Sequence, residues 1–242
     1  MTISPQITVL CGGVGAARFL RALSTVIPPS QITAIVNTGD DTVLHGLHIS
    51  PDLDTITYTL ANAIDPDRGW GLIDESWRAL DALQRYGQVR PAGSHAASTW
   101  FGLGDQDLAT HFYRTARLQE GASLTDVTSE IASAWGLDFR LLPMANDPAP
   151  TKVVVDTNDD PGVAGDGQIS FQEYFVRHRH SIPVRELRLG ASSAQPTHEA
   201  IEALTTADAV VIAPSTPFVS IGPIRALPHV DQILAKRRTT VV

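Results

Sequence analysis

A strand, a glycine turn, a helix and a second strand open this chain, and that order admits few folds. Ile7–Cys11 (ITVLC) is an unbroken apolar run, and Gly12-Gly13-Val14-Gly15 turns it. Ala16–Val26 has helical spacing until Pro28-Pro29 stop it, and Ile32–Asn37 (ITAIVN) is a second apolar run. Strands with no polar alternation are buried on both faces, and two of them joined through a helix run parallel by a right-handed crossover. The expectation is an α/β chain, Rossmann-like, with a mostly parallel sheet and helices on both faces.

Past Thr55 the pattern turns helical. Helices are expected at Thr55–Ala63, Glu75–Tyr86, Leu108–Leu118 and Ser123–Trp135, the last opening on the capping-box variant Ser123-x-x-Asp126. They predict an inserted helical layer over about 55–137, with a small, polar, flexible loop at Val89–Thr99 inside it. Strands return at Phe139–Leu142, Lys152–Asp156, Ile169–Arg177 and Arg185–Leu189. A helix at Thr197–Thr206 leads into the buried strand Ala209–Ala213, and a last helix, Val230–Arg238, precedes Thr239-Thr240-Val241-Val242. That β-branched run reads as the first half of another parallel strand. Residues 1–242 are thus expected to form a single domain, with the C-terminal part of the fold missing after 242.

Lys+Arg 18 against Asp+Glu 26 gives a net charge of −8, which argues against nucleic acid or an anionic membrane as partner. Phosphate substrates remain open, because a metal and helix N-termini supply local positive charge. Cys11 is the single cysteine, so an intrachain disulfide is excluded, and a buried, inert thiol in a reducing compartment is expected. No apolar run approaches the ~18 residues of a membrane span. A cytoplasmic location is expected.

Chemistry concentrates in Val36–Thr55 (VNTGDDTVLHGLHISPDLDT). Asp40/Asp41 directly follow the second strand, and Asp52/Asp54 follow shortly after. Ligands of open α/β sheets bind where strands end, so these carboxylates are expected to line one cleft. Two carboxylates about 4 Å apart repel by roughly 4 kcal/mol at an effective dielectric of 20. They need a cation, a shared proton or good solvation. Mg²⁺ holding substrate phosphates is the natural candidate.

The glycine turn reads either as a phosphate cradle or as a tight turn with no ligand. It is not a P-loop, and as G-x-G-x-x-G it fails at Arg18, while Asn37 stands where a ribose-binding acid belongs, so a nicotinamide oxidoreductase is disfavoured. Asp105 and Asp107 read as helix caps or ligand contacts, and His111 as a packing histidine. Pro214–Pro223 (PSTPFVSIGP), with Ser215 and Ser220, follows a buried strand and reads as a ligand loop or a proline-stiffened turn. Asp166–Glu173 imitates the back half of an EF-hand loop. Counting back puts Gly162 and Ala164 at ligand positions, so a turn running into a strand is the better reading.

In order along the chain, GGVGAARFL (Gly12–Leu20), VNTGDD (Val36–Asp41), HGLHISPDLDT (His45–Thr55), DPDRGWG (Asp65–Gly71), WFGLGDQDLATH (Trp100–His111), LLPM (Leu141–Met144), FQEYFV (Phe171–Val176) and PSTPFVSIGPI (Pro214–Ile224) resemble the 2-phospho-L-lactate transferase family of deazaflavin coenzyme F(420) biosynthesis, in its actinobacterial phosphoenolpyruvate branch. The resemblance implies a Rossmann-like, Mg²⁺-dependent homodimer. It would move a phospho-enolpyruvyl or 2-phospho-L-lactyl group from a guanosine diphospho donor to the deazaflavin Fo, releasing GMP.

By the same resemblance Asp40 and Asp54 are the first choices for the metal, with Asp41 and Asp52 in support and Asp54 and Asp52 as catalytic acids. Gly12, Gly13 and the 214–223 loop with Ser215 and Ser220 fall to the guanylyl half. Asp54, the Asp65–Gly71 segment with Arg68 and Trp70, and the 105–107 turn with Asp105 and Asp107 fall to Fo, and Gly15, Asn37 and Thr55 are further ligand contacts. The chain departs from the family pattern at Gln106, where a basic residue is usual, at Thr216, where Asn is usual, at an inserted 91–99 segment, and in lacking the downstream VSPI-type segment. The alternative reading is a non-catalytic regulatory protein of a related family that binds nucleotide sugars.

Overall fold

The structure, a computed structural model, describes residues 5–156 and 166–242. In chain order the elements are β1 Ile7–Cys11, α1 Gly13–Leu23, β2 Ile32–Val36, β3 Thr42–Leu44, β4 Leu47–Ile49, α2 Pro51–Leu60, α3 Arg78–Gly87, α4 Asp105–Gln119 and α5 Leu124–Ala134. There follow β5 Arg140–Pro143, β6 Thr151–Val155, β7 Gln168–Ser170, β8 Val184–Leu189, α6 His198–Thr206, β9 Ala209–Ile212, α7 Gly222–Ala226 and α8 Val230–Lys236.

The central sheet is parallel throughout, in the order β5-β2-β1-β9, with Cys11 opposite Val36 where the first two strands end. Its two faces follow the two-residue period of a strand. Val9, Cys11, Ala34, Val36 and Leu141 face α1, α2 and α5, meeting Ala17, Leu20, Leu53, Ile56 and Leu124. Leu10, Ile35, Leu142 and Val210 face α6, α7 and α8, meeting Leu204, Ile224 and Val230. Helices therefore cover both faces, as expected. The terminal TTVV run does begin to extend the sheet: Val241 bridges Val210 in parallel beyond β9. Among the described residues no helix is long and apolar enough to cross a membrane.

The structure differs from or adds to the sequence reading in four places. β6, β7 and β8 form their own antiparallel sheet, separate from the parallel one. The expected strand 169–177 ends at Ser170, and Glu173–Arg177 is a π-type helical turn whose Glu173 N–H is capped by Ser170 Oγ at 3.0 Å. Its aromatic residues Phe171, Tyr174 and Phe175 are spaced for a helix, which the strand reading ignored. Thr42–Ile49 folds into a hairpin, because His45 (φ 54°) and Gly46 (φ 78°) supply the two positive-φ residues of a two-residue turn.

Lastly, α2 starts at Pro51, ahead of the expected Thr55, placing Asp52 and Asp54 in its first turn. Carboxylates favour that end of a helix dipole. Of the EF-hand-like stretch, Gly162 and Ala164 lie outside the described residues. Asp166 accepts the Gln168 N–H at 3.2 Å and turns the chain into β7.

Candidate active site

The carboxyl ends of β1, β2 and β9 meet the first turns of α1 and α2, and most of the acids gather there. Gly12 is the tightest point. A Cβ there would lie 2.6 Å from Asp52 Oδ2 and 3.1 Å from both Asn37 and Ser220, so only glycine fits. Asn37, fully buried, donates from Nδ2 to Asp52 Oδ2 at 2.9 Å and to Val219 O at 3.3 Å, tying α2 to the 214–223 loop. The Gly13 N–H also donates to Asp52. Ser215 Oγ donates to Gly12 O at 2.9 Å, and Gly15 packs against Pro214 O. Of these residues, Gly13, Asp52, Val219 and Ser220 border the main cavity.

Asp40 and Asp52 are buried, and Asp41 beside them is half-buried with its Oδ1 out of solvent. Burial, joined by the charges of Asp52 and Asp41, pushes the Asp40 carboxyl well above the usual carboxylate range. Burial also raises Asp41, against the Ser50 hydroxyl that donates to its Oδ2 at 2.7 Å. Asp52 is pushed up to about 6 by burial, which outweighs its bonds from Asn37 and Gly13. Oδ1 of Asp40 and Oδ1 of Asp41 are buried without a hydrogen-bond partner, and no Lys or Arg forms an ion pair with these three acids among the described residues. Orphaned hard oxygen donors under mutual repulsion fit a divalent cation such as Mg²⁺.

Asp54 sits differently. Arg114 of α4, fully buried, grips both its oxygens, Nη1 at 3.1 Å and Nη2 more closely. Asp54, Asp107 and His111 also bring ligand-type atoms within 4.8 Å of one another. Arg114 already offsets the charge of Asp54, whereas no ion-paired Lys or Arg faces Asp40, Asp41 or Asp52 among the described residues; both acidic groups offer oxygen donors to a cation. Asp107 accepts from Tyr58 Oη at 2.6 Å. Burial would raise its carboxyl, but the His111 and Tyr58 bonds and Arg114 hold it below the usual range.

A cavity of about 680 Å³ opens on Gly13, Asp40, Asp52, Thr55 and Ser220. Trp70 and Phe101 flank it on one side; Phe171, Tyr174, Phe175 and His180 flank it on another. Phe171 and Phe175 stack at 5.6 Å and 21°, and Phe175 and His180 at 5.2 Å and 28°. A recess of about 70 Å³ adjoins it, sharing Thr55, Trp70 and Phe101 and bordered by Asp54, Asp107 and His111.

Gly12, Gly15, Asn37 and Ser215 line neither space, and of the residues expected to face Fo neither do Arg68 and Asp105. Arg68 is held between Trp70 and Trp77, 5.4 and 5.0 Å from their ring centres, and bonds Glu75 Oε1 at 2.9 Å, bracing Trp70. Asp105 clamps Ser76, accepting from its N–H at 2.7 Å and its Oγ at 2.9 Å. Cys11 is buried, its thiol pushed up by burial and then by Asp52, as suits a packing residue.

Sequence reasoning missed Arg114 and the 171–180 aromatics, and set His111 aside. The signal was present in the spacing of Asp107, His111 and Arg114, which recur four and three residues apart on one helix face.

Residues 7–242 match the family model for 2-phospho-L-lactate transferase CofD. The chain is 43% identical over 239 residues to a phosphoenolpyruvate transferase of Nocardia farcinica, covering 98% of this chain and 69% of the relative. It is 42% identical over 257 residues to one of Mycobacterium avium, covering 98% and 73%. Among solved structures, a UPF0052 family member from Bacillus halodurans superposes with a TM-score of 0.62 at 17% identity. That match covers 97% of this chain and 66% of the other, so the chain spans just under two thirds of the solved protein, and the likeness concerns the fold alone.

Proposed function

The chain belongs to the 2-phospho-L-lactate transferase CofD family, and from that premise we propose that it moves a phospho-enolpyruvyl or 2-phospho-L-lactyl group from a guanosine diphospho donor to the ribityl hydroxyl of the deazaflavin Fo. The observation that carries this reading is one cavity lined by two chemistries. The acids Asp40 and Asp52 stand beside the glycine turn, and aromatic side chains wall the rest. A diphosphate needs its charge cancelled, and a planar ring system needs flat apolar walls.

Asp40 and Asp52, with Asp41 behind them, would hold Mg²⁺, which when bound neutralises the diphosphate and the developing charge. Gly12 and Gly13 let backbone approach the phosphates at the start of α1. Trp70, Phe101 and Phe175 align the acceptor ring. Asp54 accepts the proton of the acceptor hydroxyl as its oxygen bonds to the donor's distal phosphorus. The bond from that phosphorus to the guanylate oxygen breaks, and GMP leaves. In-line positioning and charge cancellation do the work, with little covalent chemistry for the protein.

The test is GMP release from donor plus Fo with and without Mg²⁺, comparing wild type with Asp40→Asn. Mg²⁺-dependent release, falling ~100-fold or more in the variant, is expected. Binding of a UDP-sugar with no turnover of the guanosine donor would instead favour a regulatory protein.

A further inference from the structure

Arg114 is charged and fully buried, and it lines neither the cavity nor the recess beside it. Taking a guanidinium out of water costs several kcal/mol, and a salt bridge at such a site is weak evidence for stability, since apolar residues would join α2 to α4 as well. Its contacts give it another use. Nη1 and Nη2 form a fork on the two oxygens of Asp54, the geometry that fixes a carboxylate in plane as well as in place.

Nη1 also lies 3.2 Å from His111 Nδ1. An N–H donor there leaves Nδ1 as the acceptor, so the ring hydrogen sits on Nε2, which lies 3.2 Å from Asp107 Oδ2 without the alignment of a hydrogen bond. Asp107 is anchored by Tyr58. Asp54 is thus oriented by Arg114, with His111 packed against the guanidinium, and it borders the small recess beside the cavity.

We propose that Arg114 is the positioning residue of the transfer: it aims the Asp54 carboxylate into the recess where the acceptor hydroxyl arrives, with His111 as a strut between Arg114 and Asp107 and not a base. The inference rests on the transferase reading, and one set of assays separates the two. The full chain is assayed with guanosine diphospho donor and Fo as wild type, Arg114→Ala, Arg114→Lys, Asp54→Asn and the Arg114→Ala/Asp54→Asn pair.

Arg114→Ala should lose ~100-fold in kcat, the order expected when a reacting group moves by about 1 Å, with KM for Fo within about threefold of wild type. Added guanidinium ion should restore at least ~10-fold of the loss, whereas Arg114→Lys recovers less, because an ammonium cannot fork onto both oxygens. The double variant should be no slower than Asp54→Asn alone.

A kcat within about threefold of wild type in Arg114→Ala overturns the inference. So does a loss of kcat with a matching rise in KM and no rescue by guanidinium, or a double variant that multiplies both losses. If Arg114→Ala does not fold, Arg114→Lys decides: kcat down at least ~10-fold at an unaltered melting temperature and KM supports the assignment, and unaltered kcat refutes it. A wild type that turns over no donor overturns the function and the inference together.

Discussion

Asp52 receives hydrogen bonds from the Asn37 amide and the Gly13 N–H, and it shares a cavity wall with Asp40. Even so, burial lifts its carboxyl to about 6, from the 3.8 of an ordinary aspartate. The sign of the linkage is the reverse of that for a salt-bridged acid. A folded-state value above the unfolded one means the native protein holds the proton more tightly, so stability falls as pH rises from about 4 to about 6, by roughly 3 kcal/mol at most for this group. Asp40 and Asp41 shift the same way and carry the trend further.

Metal-free protein should therefore melt at a higher temperature at pH 5 than at pH 7, as read by thermal scans in a chelating buffer. Excess Mg²⁺ should raise the pH 7 melting temperature and flatten the profile. A melting temperature that climbs with pH would remove the basis for this electrostatic picture. The acidic pairs were legible in the sequence, because Asp-Asp after an apolar strand has few bland explanations. The partition among them was not: Asn37 holds Asp52 while Arg114 and His111, far along the chain, surround Asp54.

At the scale of elements, α5 shows what a local signal can settle. Ser123 Oγ accepts the Asp126 N–H at 3.1 Å, and Asp126 Oδ2 accepts the Ser123 N–H at 3.3 Å, closing the reciprocal cap that Ser-x-x-Asp implies. Ser123→Ala should cost about 1 kcal/mol, seen as a lower urea midpoint with an unaltered slope. A midpoint that does not move would mean that tertiary packing alone fixes that end.

Other elements depended on information a window does not hold. Ile169–Arg177 is rich in β-formers, yet Ser170 caps a helical turn that seats Phe171 and Phe175 against the cavity. The β6–β8 strands carry no mark of which sheet they join; that is decided by β6 pairing antiparallel with both neighbours. The His45-Gly46 hairpin could have been read, because a histidine followed by glycine between short β-branched runs is a weak form of the asparagine-glycine signal.

For the whole molecule, the parallel sheet separates two cores with different duties. The α1/α2 face ends at the acids and glycines, while the α6–α8 face holds Leu10, Leu142, Leu204 and Leu234 away from the cavity. Leu204, 1% exposed, belongs to the second core. Leu204→Ala should destabilise by about 2–5 kcal/mol in denaturant melts and leave kcat for the folded enzyme unaltered. A matching loss of kcat at low temperature, where the variant remains folded, would show that the second core shapes the site after all.

The same sheet delivers the starts of α1 and α2 to one spot, where the Gly13 N–H is bonded to Asp52. Helix starts attract anions, and here the protein supplies its own. At the glycine turn the place an anion would take is thus filled by the chain's own carboxylate, on the cavity wall that Gly13 and Asp52 share.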